Sequence, residues 1–208
     1  MRNLTRQLLV FFALALAAPA FGGTILFLGD SLTAGLGVQE SEAYPAVIAQ
    51  KIREKNLPFT LVNAGVSGDT TAGGLARLDW VLQKKIDVLV LALGANDGLR
   101  GLPVAQTRAN LQAIIDRVRE KNPGVKIVLA GMQIPPNMGG EYGAEFRQIF
   151  PDLARANHAA LVPFLLEGVA GHDDLNQADH IHPTAAGHKI LAENVWRVLQ
   201  PLLENGGS

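Results

Sequence analysis

Short apolar runs alternate with longer amphipathic runs along most of this chain. The apolar runs are rich in Val, Ile and Leu, as is typical of parallel strands covered on both faces, and they lie at 24–28, 60–63, 88–93, 125–130 and 160–163. The amphipathic runs predict helices at 45–55, 71–84, 104–121, 144–157 and 183–203. Strand–helix alternation with short connections predicts right-handed crossovers and an α/β fold, a three-layer α/β/α sandwich around a parallel sheet of about five strands.

The N-terminal segment differs from the rest of the chain. Two arginines precede an apolar run at 8–18, which ends in the small-residue sequence Ala18-Pro19-Ala20. This pattern is typical of a secretory signal peptide, and the run is shorter than the about 20 residues that a membrane-spanning helix needs. We expect residues 1–20 to be a cleaved signal peptide and 21–208 to be one domain, periplasmic or secreted by a bacterium, without stable membrane insertion. An uncleaved membrane anchor is the alternative.

The composition excludes several classes of function. The chain has no cysteine, which rules out disulfides, a thiolate nucleophile and cysteine-ligated zinc. Its formal net charge is −1, so it offers no strong field to attract nucleic acid or anionic lipid. With 48% hydrophobic and 18% charged residues, it has the composition of a folded domain. We expect a monomer that acts on a small molecule and binds no nucleic acid.

A serine at the end of the first predicted strand is the first candidate for chemistry. Ser31 lies in Gly29-Asp30-Ser31, and α/β folds bind their ligands at the carboxyl ends of parallel strands. A simple Asp-Ser turn is the alternative. The surrounding sequence is not the Gly-x-Ser-x-Gly nucleophile elbow of α/β-hydrolases, because Thr33 stands where that motif has its second glycine.

Asp179 and His182 form the second candidate group. They stand three residues apart, and His182 precedes Pro183, a residue that suits the first position of a helix. In a turn, Asp179 can accept a hydrogen bond from Nδ1 of His182, which leaves Nε2 to take a proton from a serine. A helix start that carries surface histidines is the alternative.

A metal site that includes His180, His182 and Asp179 is a further alternative. The sequence offers no matching His-rich or carboxylate-rich partner for it, so we expect no metal there. The remaining histidines show no ligand-like spacing and are predicted to be solvated: His158, His172 and His188.

Two further positions could stabilise the oxyanion of an acyl-transfer reaction. Gly68 follows the second predicted strand, and its missing Cβ lets the backbone N–H approach a ligand closely. Asn96 follows the third strand and offers a side-chain NH₂. Glycine turns, helix caps and Asx-turns are the alternatives. In a flavodoxin-like sheet of order 2-1-3-4-5, strand one lies between strands two and three, so we expect Ser31 between these two donors.

The segment at 131–143, after the fourth strand, is rich in Gly and Pro yet carries large apolar side chains. It is either an ordinary long connection or one wall of a binding cleft. The cleft hypothesis predicts a groove for an acyl chain with these substrate-binding residues: Leu99, Met132, Ile134 and Tyr142. The alternative is that these side chains only cap the sheet.

The chain resembles the SGNH (GDSL) hydrolases, a family named for its Ser, Gly, Asn and His. The resemblance spans about residues 24–203 and rests on four motifs that occur in order: Gly29-Asp30-Ser31-Leu32, Gly68-Asp69-Thr70, Gly94-Ala95-Asn96-Asp97 and Asp179 through His182-Pro183. Within the family, the chain is most similar to the bacterial periplasmic arylesterase, acyl-CoA thioesterase I and lysophospholipase group. It departs from the usual pattern at Ala95 and His180, where relatives usually have glycine.

This resemblance implies a carboxylic ester hydrolase with a serine nucleophile and no cofactor. It implies Ser31 as the nucleophile, His182 as the base and Asp179 as the residue that orients the base. The implied oxyanion hole consists of the backbone N–H groups of Ser31 and Gly68 and the side chain of Asn96. Expected substrates are short- to medium-chain acyl esters, aryl esters, acyl thioesters and lysophospholipids. The alternatives are a carbohydrate acetyl esterase, a non-catalytic binding module and a metal-dependent hydrolase.

Overall fold

The structure is a computed structural model that describes residues 22–204, and a parallel sheet forms its centre. The strands are β1 (Gly23–Gly29), β2 (Phe59–Gly65), β3 (Val88–Ala92), β4 (Lys126–Ala130) and β5 (Ala160–Val162). Their order across the sheet is β2-β1-β3-β4-β5, and every neighbouring pair is parallel. The predicted fold class and strand order are confirmed. The signal peptide predicted at 1–20 lies outside the described residues.

Helices connect the strands on both sides of the sheet. Within the described part of the chain they are α1 (Ser31–Ala34), α2 (Tyr44–Glu54), α3 (Thr71–Ala76), α4 (Leu78–Val81), α5 (Ala95–Leu99), α6 (Val104–Lys121), α7 (Gly140–Ala156) and α8 (Ala185–Glu204). Two short 3₁₀ turns lie at Glu40–Glu42 and Pro136–Met138. The helix predicted at 104–121 has the same bounds as α6. The short helices α1 and α5, which follow β1 and β3, are absent from the sequence prediction.

Apolar burial holds the layers together. All five residues of β3 are buried, as expected for a central strand covered on both faces. The helix α6 packs one apolar face inward, and these residues of that face are fully buried: Leu111, Ile114, Ile115 and Val118. Each large apolar side chain removed from water in this way stabilises the fold by roughly 1.5–3 kcal/mol. The sheet is therefore a rigid base for the loops at its carboxyl edge.

The structure corrects three details of the sequence prediction. The helix predicted at 71–84 is broken at Arg77, where α3 ends and α4 begins. The helix predicted at 144–157 begins earlier, at Gly140, so the preceding loop is shorter than expected. His188 is not solvated: it is 1% exposed and its Nδ1 accepts the backbone N–H of Tyr44 at 3.3 Å. Burial lowers the pKa of His188 to about 4, so its ring is neutral at pH 7.

None of the helices found between residues 22 and 204 combines the length and the apolarity that crossing a lipid bilayer requires.

Candidate active site

The nucleophile candidate lies at the transition from β1 to α1. Ser31 is the first residue of α1, and the Oδ1 atom of Asp30 caps this helix by accepting the Leu32 N–H at 3.0 Å. The preceding Gly29 allows the sharp change of direction, because a Cβ there would lie 2.0 Å from the Thr33 hydroxyl. This turn presents Ser31 at the carboxyl edge of the sheet.

A hydrogen-bonded relay joins Ser31 to the loop before α8. Nε2 of His182 lies 2.9 Å from the Ser31 hydroxyl, and Nδ1 lies 2.6 Å from Oδ2 of Asp179. Both imidazole nitrogens are therefore engaged, one by the carboxylate and one by the hydroxyl. With Asp179 as acceptor, Nδ1 carries the proton and Nε2 can accept one from the serine.

The turn at 179–182 fixes the carboxylate of this relay. Oδ1 of Asp179 accepts the backbone N–H groups of His182 at 3.0 Å and Ile181 at 2.9 Å. These bonds and the imidazole hold the pKa of Asp179 far below its usual range, so the carboxylate is ionised at neutral pH. His180 lies in this turn with a left-handed φ of 56°, a conformation that glycine adopts without strain.

Asn96 lies in the first turn of α5 and lines the same cavity as Ser31. Its Nδ2 donates to the backbone carbonyl of Asp69 at 2.8 Å. A side-chain amide has two hydrogens, so this bond fixes the orientation of the group and leaves the second hydrogen for a ligand. The neighbouring Asp97 is buried and accepts the backbone N–H of Thr71 at 2.8 Å, which ties α5 to α3. Ala95 occupies the first position of α5 and leaves Asn96 at the cavity.

Gly68 lies in the loop between β2 and α3 with a φ of 82°. Its carbonyl accepts a hydrogen bond from Nη2 of Arg100 at 2.8 Å. Gly68 does not line the cavity at Ser31, whereas Asn96 and His182 do. Five residues were predicted as catalytic or oxyanion residues. Ser31, His182 and Asp179 form the hydrogen-bonded relay, and Asn96 lines the cavity beside it. The fifth, Gly68, lies in the adjoining loop.

A cavity of about 600 Å³ opens beside Ser31. Three of the four predicted substrate-binding residues line it: Leu99, Met132 and Ile134. The fourth, Tyr142, does not line this cavity. The Tyr142 hydroxyl donates to the carbonyl of Leu102 at 2.7 Å and its ring packs against Phe146, because α7 begins before this residue and turns it away.

Further apolar residues of this cavity come from a segment that the sequence prediction did not include. After β5 the chain passes Ser31, and these residues join the lining: Phe164, Leu166 and Ala170. The sequence signal is weak there, because an apolar run at the end of a strand is also what a continuing core strand shows. Cavities of this size and apolarity bind small apolar ligands.

A buried carboxyl group lies beside the relay. Asp30 is 1% exposed, and its Oδ2 has no hydrogen-bond partner among the described residues. Burial raises the pKa of Asp30 to about 7, partly offset by the backbone N–H of Leu32 and by His182. This carboxyl is therefore partly protonated near neutral pH.

The alternative of a metal site at His180, His182 and Asp179 requires several acidic or imidazole side chains to lie close together. Within residues 22–204 no three His, Asp or Glu side chains converge as metal ligands do. His180, which the metal alternative needs, pairs instead with Asp173 at 3.1 Å, and both side chains are largely exposed.

Comparisons with known proteins agree on one family. The model of the GDSL-like lipase/acylhydrolase family matches residues 27–190. The chain is 42% identical over 189 residues to esterase TesA of Pseudomonas aeruginosa, covering 90% of this chain and 93% of that protein. It is 36% identical over 197 residues to thioesterase 1/protease 1/lysophospholipase L1 of Escherichia coli K12, covering 94% of this chain and 92% of that protein.

A solved structure supports the same assignment. The crystal structure of AlinE4, an SGNH-hydrolase family esterase, has a TM-score of 0.72 and 43% sequence identity, and the match covers 88% of this chain and 97% of that one. The region matched by the family model, residues 27–190, includes the whole relay from Ser31 to Asp179 and His182. The chain belongs to the GDSL-like lipase/acylhydrolase family of SGNH hydrolases.

Proposed function

We propose that this protein hydrolyses short- to medium-chain acyl esters and thioesters through an acyl-enzyme formed on Ser31. The chain is a carboxylic ester hydrolase, and the names of its relatives cover esterase, thioesterase and lysophospholipase activities. The observation that carries the proposal is the relay from Asp179 through His182 to Ser31, with distances of 2.6 and 2.9 Å, which ends at the mouth of an apolar cavity.

The reaction begins with proton transfer from Ser31 to Nε2 of His182 as the serine oxygen attacks the acyl carbon. The imidazolium that forms is stabilised by the ionised carboxylate of Asp179. His182 then gives its proton to the departing alcohol or thiol, and an acyl group remains on Ser31. Water repeats the same steps and releases the acid.

Negative charge develops on the acyl oxygen during both steps, and it needs hydrogen-bond donors. The proposed donors are the backbone N–H groups of Ser31 and Gly68 and the remaining side-chain hydrogen of Asn96. Support for Asn96 comes from its place at the cavity and its fixed orientation on Asp69. Support for Gly68 comes from its place in the loop next to Asp69.

The substrate proposal rests on the cavity. Its volume of about 600 Å³ and its mostly aliphatic lining suit an acyl chain of short to medium length better than a sugar ring. Phe164 is the one Phe, Tyr or Trp side chain among the described residues that line it, whereas sugar sites often use several such faces. Aryl esters and lysophospholipids fit the same scheme, because their acyl group enters the cavity while the leaving group stays at its mouth.

We further propose that the protein acts in the bacterial periplasm or outside the cell and that it is a monomer. The support for export is the sequence pattern at 1–20.

The test is hydrolysis of p-nitrophenyl esters and acyl-CoA thioesters of graded chain length by the purified protein and Ser31→Ala. We expect the variant to lose activity on the order of 10³-fold or more, and the wild type to peak at short or medium chains. Activity that survives Ser31→Ala would refute the proposal. Hydrolysis confined to acetylated sugars would favour the carbohydrate esterase alternative.

A further inference from the structure

Asp69 occupies a central place among the strand ends that form the site. It directly follows Gly68, and its backbone carbonyl accepts a hydrogen bond from the side-chain amide of Asn96 at 2.8 Å. Its carboxylate accepts Nε of Arg77 at 2.6 Å. Asp69 therefore connects the loop after β2 to the residue proposed as the side-chain oxyanion donor after β3.

Arg77 also connects the end of β1 to the loop after β2. Its Nη2 donates to the backbone carbonyl of Gly29 at 3.1 Å, and Gly29 is the last residue of β1, two positions before Ser31. One planar guanidinium thus bonds to the end of β1 and to the loop after β2 at the same time. The helix predicted at 71–84 ends at Arg77, the residue that makes these two contacts.

The pair is shielded from solvent. The side chains of Arg77 and Asp69 are 19% and 14% exposed, respectively. At such burial an ion pair is screened far less than a surface pair. The chain also leaves space for the carboxylate, because a Cβ on Gly73 would lie 2.4 Å from Oδ1 of Asp69. Replacing Gly73 by alanine would therefore displace the carboxylate of Asp69.

We propose that Arg77 and Asp69 are positioning residues that hold the Gly68 N–H and the Asn96 amide at the oxyanion geometry relative to Ser31. This inference rests on the proposed function and deepens it. Neither residue touches the reacting atoms. Their contribution is alignment: catalytic groups must be held within about 0.5 Å, and a displacement of about 1 Å can cost roughly 10²-fold in rate.

Arginine is the residue type that this role requires. A lysine ammonium is a point charge that cannot present two coplanar donors. Arg77→Lys keeps the charge next to Asp69, but we expect it to lose the bond to the Gly29 carbonyl. Arg77→Met keeps the aliphatic stem and loses both bonds. These two substitutions therefore separate the charge of Arg77 from its bidentate geometry.

The experiment compares Arg77→Met and Arg77→Lys with Arg117→Met as matched control. Arg117 also pairs with an aspartate, Asp79, but this pair is about half exposed and lies on α6 and α4, away from Ser31. The measurements are kcat and KM on a p-nitrophenyl ester, thermal unfolding, and the affinity for an alkyl trifluoromethyl ketone. This inhibitor adds to a catalytic serine and places an oxyanion in the hole.

We expect Arg77→Met to lower kcat by about 10–100-fold with KM changed less than about twofold. Inhibitor affinity should weaken by a similar factor, since both losses report the oxyanion. Arg77→Lys should fall between Arg77→Met and the wild type, and Arg117→Met should match the wild type. If the two positions act as a unit, Asp69→Ala combined with Arg77→Met should lose little more than either change alone.

Besides an Arg77→Met variant that equals the wild type, two results would overturn the inference. The first is a raised KM with unchanged kcat in both Arg77 variants. The second is a lowered kcat with inhibitor affinity equal to that of the wild type. The proposed function is tested separately by Ser31→Ala in the same assays: if Ser31→Ala is inactive while Arg77→Met equals the wild type, the inference alone fails. If Ser31→Ala remains active, the proposed function fails.

Discussion

Replacing Asp30 by asparagine removes a buried charge beside the nucleophile while keeping its shape. The side-chain oxygen of the introduced asparagine can still cap α1 at the Leu32 N–H, because asparagine and aspartate are equally good N-caps. The change therefore isolates the ionisation of a carboxyl that is 1% exposed and whose Oδ2 has no hydrogen-bond partner among residues 22–204.

The sign and size of the effect follow from the pKa of Asp30. In the unfolded chain an aspartate ionises near 3.8, and burial raises the pKa of folded Asp30 to about 7. The folded protein therefore binds more protons between these values, so this group makes the protein less stable as the pH rises from about 4 to about 7. The difference between the two pKa values corresponds to a loss of about 4 kcal/mol in unfolding free energy at pH 8, and roughly 2–3 kcal/mol of this loss develops between pH 5 and pH 8.

A second buried group acts with the opposite sign in the same pH range. Burial lowers the pKa of His188 to about 4, so protonation of the unfolded chain reduces stability as the pH falls below about 6.5. The pH profile of the wild type is therefore the sum of two opposed contributions. Comparing Asp30→Asn with the wild type at each pH cancels the contribution of His188.

The assay is urea unfolding of wild type and Asp30→Asn at pH 5 and pH 8. We expect the difference in unfolding free energy, variant minus wild type, to be roughly 2–3 kcal/mol larger at pH 8 than at pH 5. Any cost of burying the unpaired asparagine amide is independent of pH, so it cancels when the differences at pH 8 and pH 5 are compared. A change of less than about 0.5 kcal/mol between the two pH values would refute the reasoning, because it would mean that Asp30 ionises normally.

Three further substitutions test the site. Asn96→Ala should lower kcat by roughly 10²–10³; an unchanged kcat on p-nitrophenyl esters would remove Asn96 from the oxyanion hole. Ile134→Glu places a carboxylate on the cavity wall and should shift the preference toward acetyl and propionyl esters, so an unaltered chain-length profile would contradict an acyl groove there. Tyr142→Phe is its matched control, because Tyr142 bonds to Leu102 and does not line the cavity. It should keep the chain-length profile and lose about 1 kcal/mol of stability in urea unfolding.

The fold could be predicted from the sequence because its signals are local. Each strand appears as a short continuous apolar run, and the alternation with helices restricts the possible strand orders to a few. The contact between Asp179 and His182 is local as well, because three residues in a turn bring the two side chains together. The contact between Ser31 and His182 spans 151 residues. The strand order does not bring them together by itself, because β3 and β4 lie between β1 and β5, so the segment between β5 and α8 must fold back along the carboxyl edge of the sheet.

The remaining details depend on tertiary contacts that have no local pattern. The break at Arg77 comes from its bonds to Asp69 and Gly29, although Gly73 and Gly74 already weaken the helix there. His188 stands in a helix whose sequence does not reveal which face meets Tyr44. Tyr142 has the sequence context of a loop residue, but an early start of α7 redirects its side chain.

Covalent labelling at Ser31 tests the central claim most directly. The protein is treated with a fluorophosphonate, digested and analysed by mass spectrometry, with Ser31→Ala and His182→Ala as controls. The account predicts one adduct per chain, on the peptide that contains Ser31, and labelling slowed on the order of 10³-fold or more when either residue is replaced. An adduct on another residue, or labelling of Ser31→Ala at the wild-type rate, would contradict the assignment of Ser31 as the nucleophile.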